Sequence, residues 1–374
     1  PGDYTTAPGD NANTGTAPDS PKASIQAVLD AFQLGAGDTI LADNGVYILT
    51  VNITITADDS GVIIEGFHDP AFPDRISLLD REKTGTGAAV FQLVDADDVT
   101  LNHLGITGGE RGISAANGAD SDGLTVSNSR IFGNRFDGIL VGTTNDGAII
   151  SNNEIFGFPG GSFADNQNDG VDILGADALV TGNLLYENWE NGVNLNGARG
   201  EVSGNIAYRN GTGIRANYAG GIPDRILISG NEVFNSGVNP NGGQGIYASG
   251  AVLVTNNEVY GYLASGSFTG ISLDDRAAAV GNRVHHTGNG IYSIGYGEIG
   301  DNDVYANSNG FVGRSDGTRY GQSCVLIAGE GESMQRDYWY DSRRAFNDLE
   351  AAEKTGREAA RRTVSRHGAR NIPT

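Results

Sequence analysis

The phrase Asn231-Glu-Val-Phe234 returns almost unchanged as Asn257-Glu-Val-Tyr260, and this repetition decides the fold. Each copy contains an asparagine, a variable residue, an aliphatic residue or alanine, and an aromatic residue or histidine. Successive copies begin 20 to 30 residues apart, which is typical of stacked structural repeats. The other copies are Asn153-Glu-Ile-Phe156, Asn183-Leu-Leu-Tyr186, Asn205-Ile-Ala-Tyr208, Asn282-Arg-Val-His285 and Asn302-Asp-Val-Tyr305, with Ser129-Arg-Ile-Phe132 as a variant.

A second phrase runs out of phase with the first and consists of glycine followed by Ile, Val or Phe. It opens short alternating runs such as Gly170-Val-Asp-Ile-Leu174, and a third run such as Val252-Leu-Val-Thr255 precedes each asparagine phrase. Short period-2 runs separated by Gly, Asn and Asp are strand signals, whereas residues 90 to 305 show no helical period. Three strands in every repeat predict a parallel β-helix. The repeat glycines are Gly112, Gly138, Gly170, Gly192, Gly213, Gly245, Gly270, Gly290 and Gly310.

The recurring asparagine has an architectural explanation. Asparagine tolerates the left-handed backbone of a tight corner and satisfies bent backbone groups with its own amide. In coils stacked one strand spacing apart, equivalent asparagines can also bond each other along the stack. We expect the aliphatic and aromatic residues of each phrase to stack inside the solenoid in the same way.

The N-terminal segment, residues 1–37, has the pattern of a cap that closes the hydrophobic end of the stack. Ser20-Pro21 is the predicted helix start, and the helix over residues 23–32 places Ile25, Val28, Leu29 and Phe32 on one face. The strands of the opening coils are expected at residues 38–42, 45–49 and 61–65. Residues 67–88 are predicted to form a longer connection.

Composition and charge exclude several partner classes. The 374 residues include 57 Gly, one Cys and one Met, with a net charge of −22. A strongly acidic chain does not favour nucleic acid or an anionic membrane as partner, and no apolar run is long enough to span a bilayer. We therefore predict no nucleic-acid partner and no membrane insertion. No signal peptide is recognisable, and the start at Pro1 suggests a processed piece.

From about Thr5 to Tyr305 the chain resembles the right-handed parallel β-helix proteins of the pectate-lyase type and, more distantly, the mannuronan epimerase modules. The resemblance implies a rod with a carbohydrate-facing sheet and an extracellular or cell-surface location in a bacterium. It also implies a choice among polysaccharide lyases, epimerases, hydrolases and adhesins, which a fold alone does not make. The epimerase phrase Asp-Pro-His-Glu and the calcium-binding nonapeptides are absent. The pairs Asp58-Asp59, Asp97-Asp98 and Asp274-Asp275 are interpreted as turns.

Side-chain alternation gives a better candidate site than these motifs. The residue two after each repeat glycine should point outward, and stacking should align its equivalents in a column. The middle of this column is polar, and Asp169 and Asp274 flank it. A mixture of carboxylate, amide, cation and aromatic ring suits sugar recognition. The candidate substrate-binding residues are therefore Asp172, Asn194, Arg215, Tyr247 and Asp274, and the insertions at 157–168, 218–224, 235–243 and 261–268 are candidate walls of a groove.

Two functions remain open for this strip. It is either a polysaccharide-binding or structural surface without turnover, or the site of a lyase or C5-epimerase that acts on a uronate polymer. In the second case Arg215 would neutralise a uronate carboxylate, and Tyr247 or a carboxylate would exchange the C5 proton. Asp169 and Asp172 would then hold calcium, the one candidate cofactor, through oxygen ligands.

The chain after residue 306 has a different composition. It holds 11 basic and 9 acidic residues, whereas the first 306 residues hold 13 basic and 37 acidic ones. The repeat stops, and residues 348–367 read as a helix whose apolar positions are Leu349, Ala352, Gly356, Ala359, Ala360 and Val364. The sequence thus predicts an all-β, right-handed parallel β-helix over 38–306 with a small α+β tail over 307–374.

The tail resembles the middle of the TldD/PmbA family of zinc metalloproteases, nearest to PmbA. The resemblance rests on Ser323-Cys-Val-Leu-Ile-Ala328, on Met334-Gln-Arg-Asp-Tyr338 with Trp339-Tyr340, and on the segment from Gly356-Arg-Glu-Ala-Ala-Arg-Arg-Thr363 to Ala369-Arg370. The family's zinc motif, His-Glu-x-x-x-His with a distant cysteine, has no counterpart here, so no peptidase activity is expected. Cys324 is predicted to be a core residue of a strand, and the junction near Asn307 suggests a chimeric chain.

Overall fold

The computed structural model describes residues 4–82, 85–158, 167–235, 243–263, 268–308, 312–313, 320–329, 334–343 and 348–366. The chain divides into two compact units, Pro1–Arg314 and Ser315–Thr374. The first contains three parallel sheets of eleven strands each among the described residues, with every third strand in the same sheet. This is the predicted right-handed parallel β-helix.

Sheet 1 consists of β1 (Thr39–Leu41), β4 (Ile63–Glu65), β7 (Thr100–Asn102), β10 (Thr125–Ser127), β13 (Ile149–Ser151), β16 (Leu179–Thr181), β19 (Glu201–Ser203), β22 (Ile226–Ser229), β25 (Val252–Thr255), β28 (Ala278–Val280) and β31 (Ile299–Gly300). Sheet 2 consists of β2 (Gly45–Ile48), β5 (Ser77–Asp80), β8 (Leu104–Thr107), β11 (Arg130–Phe132), β14 (Glu154–Phe156), β17 (Leu184–Tyr186), β20 (Ile206–Tyr208), β23 (Glu232–Phe234), β26 (Glu258–Tyr260), β29 (Arg283–His285) and β32 (Asp303–Tyr305). Sheet 3 consists of β3 (Ile53–Thr56), β6 (Ala89–Val94), β9 (Arg111–Ala115), β12 (Asp137–Val141), β15 (Asp169–Ile173), β18 (Asn191–Leu195), β21 (Thr212–Tyr218), β24 (Gln244–Gly250), β27 (Thr269–Asp274), β30 (Asn289–Ser293) and β33 (Val312–Gly313).

The core is a column of aliphatic side chains enclosed by the three sheets. Ile155, Leu185, Ala207 and Val233 are fully buried at the middle position of successive strands of sheet 2. The aromatic residues of the phrases lie on the outer face instead, so the prediction that they stack inside is wrong. Strand alternation is the reason, because the buried aliphatic residue precedes the ring by one position.

The phrase asparagines form a buried ladder at the corner between sheets 1 and 2. The Nδ2 group of Asn183 donates to Oδ1 of Asn205 at 2.9 Å, and that of Asn205 donates to Oδ1 of Asn231 at 3.0 Å. The predicted ladder is therefore confirmed from Asn153 to Asn302. The left-handed residue is the preceding one, such as Asn152 or Asn256, and not the ladder asparagine. Ladder and corner thus need two adjacent residues.

The N-terminal closure is shorter than predicted. Helix α1 (Ile25–Leu29) buries Ile25 and Leu29, and the Oγ of Ser24, rather than Ser20, accepts a hydrogen bond from the Ala27 N–H. Within the expected connection at 67–88 the chain forms strand β5, which pairs with β2 and β8. Its pattern of Ser, Leu, Leu and Asp over 77–80 lacks the glycine and asparagine signals of the later repeats.

The second unit is a hairpin with one helix. Strands β34 (Tyr320–Ala328) and β35 (Gln335–Arg343) pair in antiparallel fashion, and helix α2 (Ala352–Arg366) packs on them. Cys324 lies half-buried in β34, as predicted for a strand. The helix predicted over 348–367 is confirmed over Ala352–Arg366. Of its predicted apolar positions Ala359 is buried and Val364 is 65% exposed, and Thr355 and Thr363 complete the buried face. The threonine hydroxyls bond Gln322 and Leu326, which makes this face compatible with burial. His367, the predicted end of the helix, and the segment Ala369-Arg370 lie outside the described residues.

The repeat glycines of sheet 3 are required by the close approach of neighbouring coils. A Cβ atom added at Gly192 would lie 2.6 Å from the Gly213 carbonyl oxygen and 2.9 Å from Nδ2 of Asn210. Gly138, Gly170, Gly213, Gly245 and Gly270 meet the next coil in the same way. The last predicted repeat glycine, Gly310, lies outside the described residues.

The Gly192→Ala variant is expected to be destabilised by about 1–3 kcal/mol, because the added methyl group has no free space. The matched control is Gly300→Ala, where the nearest atom would be Oε1 of Glu298 at 3.7 Å. Urea unfolding should place the Gly192 variant clearly below the control. Equal midpoints would show that the coils can move apart and that glycine is not required there.

Candidate active site on sheet 3

The repeat glycine brings two polar positions of each coil to the outer face of sheet 3. Asp137 pairs with Asp169 and Ile139 with Val171, whereas the glycines between them have no partner in the ladder. An added Cβ at Gly170 would meet the Asn188 amide, which is buried, so the glycine faces inward together with the fully buried Val171. Two successive inward residues interrupt the alternation of the strand, and we call this feature the bulge, although each residue still has one counterpart in the next coil. The residue before the glycine and the residue two after it therefore share the outer face.

Two columns of side chains follow from this bulge. The residues two after the glycine form the outer column, which is in register as predicted: Ser114, Leu140, Asp172, Asn194, Arg215, Tyr247, Ser272 and Tyr292. The residues before the glycine form the leading column: Arg111, Asp137, Asp169, Asn191, Thr212, Gln244, Thr269 and Asn289. The sequence interpretation placed Asp169 beside the strip but overlooked the rest of the leading column.

Three aspartates meet where the columns pass through β12 and β15. Carboxylate oxygens of Asp137, Asp169 and Asp172 all lie within 4.8 Å of one another. Asp137 and Asp169 are buried and Asp172 is half-buried, so the cluster reaches solvent through Asp172. The described part of the chain contains this one group of three or more acidic, histidine or cysteine side chains close enough to hold a metal ion.

Each carboxylate of the cluster has a defined partner. Nε of Arg111 donates to Oδ2 of Asp137 at 2.9 Å. The backbone N–H and Nδ2 of Asn191 both donate to Oδ1 of Asp169, at 3.0 and 2.7 Å. Nδ2 of Asn194 donates to Oδ1 of Asp172 at 2.9 Å. Neutral amides therefore hold two of the carboxylates, and an arginine holds one.

The electrostatics of the cluster favour protonated carboxyl groups. Burial raises the pKa of Asp169 to about 7, with further contributions from the charges of Asp172 and Asp137, while hydrogen bonds from Asn191 oppose the rise. Burial and the charge of Asp137 raise the pKa of Asp172 to about 6. Burial also raises the pKa of Asp137, although Arg111 offsets part of this effect. At neutral pH the cluster therefore holds both protonated and ionised carboxyl groups.

Arg215 and Tyr247 form a second unit further along the outer column. The Arg215 guanidinium carbon lies 5.0 Å from the centroid of the Tyr247 ring, and Arg215 is exposed. Arg215 is two strands from Asp172, a distance of about 10 Å at the usual strand spacing. A ligand that touches both the cluster and Arg215 must therefore extend along the rod axis.

Asp274 does not join the cluster. It is in register with Ser249 and lies four strands from Asp172, or about 19 Å at the usual strand spacing. Its Oδ1 accepts a hydrogen bond from the N–H of Asp275, a left-handed turn residue. Asp98 is left-handed too, and Asp59 ends a short 3-10 helix, so the aspartate pairs lie in turns as interpreted.

One of the predicted groove walls is largely described. The insertion at 218–224 contains the end of β21 and a 3-10 turn over Ile222–Asp224, so it follows its sheet 3 strand instead of preceding it. The insertions at 157–168, 235–243 and 261–268 fall mainly on residues 159–166, 236–242 and 264–267, which lie outside the described residues.

Comparisons with known families agree with both predicted resemblances. Residues 111–261 match the family described as the right handed beta helix region. Residues 264–366 match the PmbA/TldA metallopeptidase central domain, which begins within the stacked strands and ends with α2. The chain therefore combines β-helix repeats with a segment of PmbA type. The boundary at 306/307 stays a prediction.

Curated relatives match the PmbA-type part. Metalloprotease PmbA of Escherichia coli O157:H7 is 35% identical over 101 residues, which is 27% of this chain and 22% of that protein. The PmbA homolog of Buchnera aphidicola subsp. Acyrthosiphon pisum is 39% identical over 72 residues, or 19% of this chain and 16% of that protein. The chain thus spans about a fifth of the length of the curated relatives it matches.

Solved structures match the rod. The Agl-KA catalytic domain is similar with a TM-score of 0.51 and 16% identity, covering 75% of this chain and 62% of that domain. DFA-IIIase from Arthrobacter chlorophenolicus A6 in complex with GF2 has a TM-score of 0.50 and 15% identity, covering 73% of this chain and 76% of that chain. At these identities the similarity shows the fold. No helix among the described residues is long and apolar enough to cross a membrane.

Proposed function

We propose that the β-helix binds a neutral polysaccharide along sheet 3 and cleaves its glycosidic bonds by acid/base catalysis at Asp137, Asp169 and Asp172. The observation that carries the proposal is the cluster of three carboxylates with a single described arginine partner, Arg111. Burial of several carboxylates costs free energy and is unusual unless the groups have a function. The proposal includes the extracellular or cell-surface location that the resemblance to β-helix proteins implies.

The cluster supplies the two roles that glycoside hydrolysis needs. Asp169, whose pKa burial raises to about 7, is the proton donor to the leaving glycosidic oxygen. An ionised carboxylate, Asp172 or Asp137, is the nucleophile at the anomeric carbon. The carboxylate oxygens lie within 4.8 Å of one another, which is closer to the spacing of about 5–5.5 Å in retaining enzymes than to the spacing of about 6.5–9.5 Å that leaves room for an attacking water. The bond between the anomeric carbon and the glycosidic oxygen breaks as the carboxylate bonds to that carbon and the leaving oxygen takes the proton of Asp169. Asp169 then accepts a proton from a water molecule, whose oxygen displaces the carboxylate from the anomeric carbon.

The charge of the rod favours a neutral substrate over a uronate polymer. Residues 1–306 hold 37 acidic and 13 basic side chains, which repel a polyanion. The outer column offers Asn194 for hydroxyl groups and the Tyr247 ring for the apolar face of a sugar. A neutral chain lying along the axis would meet these groups in order from the cluster.

The test is incubation with neutral glucans, galactans and fructans, followed by assay of new reducing ends or released oligosaccharides. The parent protein should release product from at least one neutral glycan, and Asp169→Asn should lower the rate at least about 100-fold. The matched control is Asp177→Asn, since Asp177 is an exposed aspartate paired with Arg199 at 2.6 Å and lies outside the cluster. An unchanged rate for Asp169→Asn, or tight glycan binding without product, would contradict hydrolysis.

A second candidate is a calcium-assisted lyase or C5-epimerase acting on a uronate polymer. Three oxygens within 4.8 Å of one another are compatible with a shared calcium ion, and Arg215 is an exposed cation on the same face. In that case Arg215→Ala should lose retention on a polyuronate column, because the pairing with the substrate carboxylate is lost. Calcium-dependent unsaturated products or C5 inversion by proton NMR would support this candidate, and unchanged retention would exclude Arg215 from it.

A further inference from the structure

The rings of the asparagine phrases form a continuous stack on the outer face of sheet 2, which we name the ring ladder. Neighbouring centroids are 4.8 to 5.2 Å apart, and neighbouring ring planes are within 15° of parallel. The ladder consists of Phe132, Phe156, Tyr186, Tyr208, Phe234, Tyr260, His285 and Tyr305. It follows the rod axis for seven steps of one strand spacing.

The stacking determines which part of each ring a ligand can reach. The faces of the inner rings contact the neighbouring rings above and below, so their edges are what remains towards solvent. Sugars bind to ring faces, and the ring ladder is therefore a poor platform for a glycan. Ring edges carry partial positive charge and favour the face of another aromatic system in edge-to-face contact.

The contacts that the chain's own arginines make with the ring ladder indicate which chemical groups pack against it. The Arg130 guanidinium carbon is 5.4 and 5.2 Å from the centroids of Phe132 and Phe156, which places it beside the stack and not between the rings. Nε of the same arginine is 2.9 Å from Oε2 of Glu154. In both contacts a flat cation lies beside the rings while a glutamate balances its charge.

Arg283 repeats this arrangement at the other end of the ladder. Its guanidinium carbon is 5.5 Å from the centroid of Tyr305, and its Nη1 is 3.1 Å from Oε1 of Glu258. Its Nη2 also donates to the Tyr305 hydroxyl at 2.6 Å. Two flat cations, far apart in sequence, therefore use the same combination of ring ladder and glutamate. The pattern belongs to the surface and not to one local contact.

The middle of the ladder combines the same elements with apolar neighbours. Ile206, which is 39% exposed, and the half-buried Leu184 lie two residues before Tyr208 and Tyr186, on the same outer face as the rings. Oε1 of Glu232 accepts a hydrogen bond from the Tyr260 hydroxyl at 2.7 Å. We propose that this middle part binds flat, rigid aromatic molecules that lie along the stack and contact several ring edges at once, with a cationic group placed at Glu232 because the ring edges themselves carry partial positive charge.

The test is titration of the full chain with thioflavin T, a planar cationic aromatic dye, followed by its fluorescence. We expect saturable binding that is at least about five-fold weaker in Tyr208→Ala and is also weaker in Glu232→Gln, most clearly at low salt. Tyr208→Phe keeps the ring and should bind like the parent. Tyr247→Ala removes a ring from sheet 3 and serves as the matched control, which should also bind like the parent.

Several results would overturn this proposal. Non-saturable fluorescence, or equal weakening by Tyr247→Ala, would place the dye elsewhere. Loss of binding in Tyr208→Phe would assign the contact to the hydroxyl group and not to the ring edge. If sedimentation shows a dimer that Tyr208→Ala converts to monomers while dye binding stays unchanged, the occupant of the ladder is a second copy of the chain. The circular dichroism spectrum of each variant should match that of the parent, so that a change in dye affinity reflects the altered surface and not a change in fold.

Discussion

The Asp169→Asn variant is expected to be more stable than the parent protein at neutral and alkaline pH. Burial raises the pKa of Asp169 from 3.8 to about 7, so the folded state holds a proton that the unfolded chain releases. The associated stability is present below about pH 4 and is lost as the pH rises through about 7. An asparagine carries no charge at any pH, and its side-chain oxygen can still accept from Asn191. We therefore expect a gain of about 2–4 kcal/mol above neutral pH.

The pH dependence distinguishes this effect from a general change in packing. Thermal unfolding of both proteins should give similar midpoints in acid and a growing advantage for Asp169→Asn towards alkaline pH. Asp177→Asn is again the control, because Asp177 is an exposed partner of Arg199 and its loss should change the midpoint little. If the two midpoints differ by the same amount at every pH, or if Asp169→Asn is less stable than the parent at alkaline pH, then the fold compensates the charge of Asp169 well.

The same substitution links stability to the proposed activity. A group that destabilises the folded state and lies among other carboxylates is expected at an active site, because residues there serve activity at a cost in stability. A variant that becomes more stable and loses glycan cleavage would support both the electrostatic description and the proposed role of Asp169. A more stable variant with full activity would support the electrostatic description but would exclude Asp169 as the proton donor.

The architecture could be predicted from the sequence because every coil repeats the same pattern. The phrase at Asn205 and the glycine at Gly192 each recur in successive coils, so errors in single coils do not change the pattern. The prediction that the rings face the core was wrong, because the phrase contains two apolar positions and only the first, such as Val233, faces the core. The helix start predicted at Ser20-Pro21 was wrong, since Ser24 is the cap. A single short helix has no repeated copies against which its start can be checked.

The site was harder to predict than the fold. The register of the outer column followed from counting, so Asp172, Asn194, Arg215 and Tyr247 align as expected. Asp137 was missed because the bulge at the repeat glycine brings the preceding residue to the same face, which simple alternation does not indicate. The signal was present, since Asp137 and Asp169 both precede a repeat glycine. Burial and the resulting pKa values depend on neighbouring coils and cannot be counted from sequence.

The ladder asparagines should be the most sensitive positions of the rod, and Asn205→Leu is expected to destabilise it by about 2–6 kcal/mol. Asn205 is fully buried, and its Oδ1 accepts from both the backbone N–H and Nδ2 of Asn183 at 2.9 Å. Its Nδ2 donates to the Val180 carbonyl oxygen at 2.8 Å. Leucine would remove the bonds to the Asn183 N–H and to the Val180 carbonyl oxygen, whereas Nδ2 of Asn183 keeps its bonds to the Ile150 and Thr181 carbonyl oxygens. Each buried group that loses its partner costs about 1–3 kcal/mol.

The matched control for the ladder is Asn217→Ala, because Asn217 is an exposed asparagine of the same coil and its loss should change stability by less than about 0.5 kcal/mol. Amide hydrogen exchange adds a local measurement, since the Asn183 N–H bonds only through the ladder among its described contacts. Faster exchange at Asn183 together with a lower urea midpoint is the expected result. If Asn205→Leu unfolds at the parent's midpoint, leucine packing replaces the amide bonds, and the ladder does not stabilise the rod.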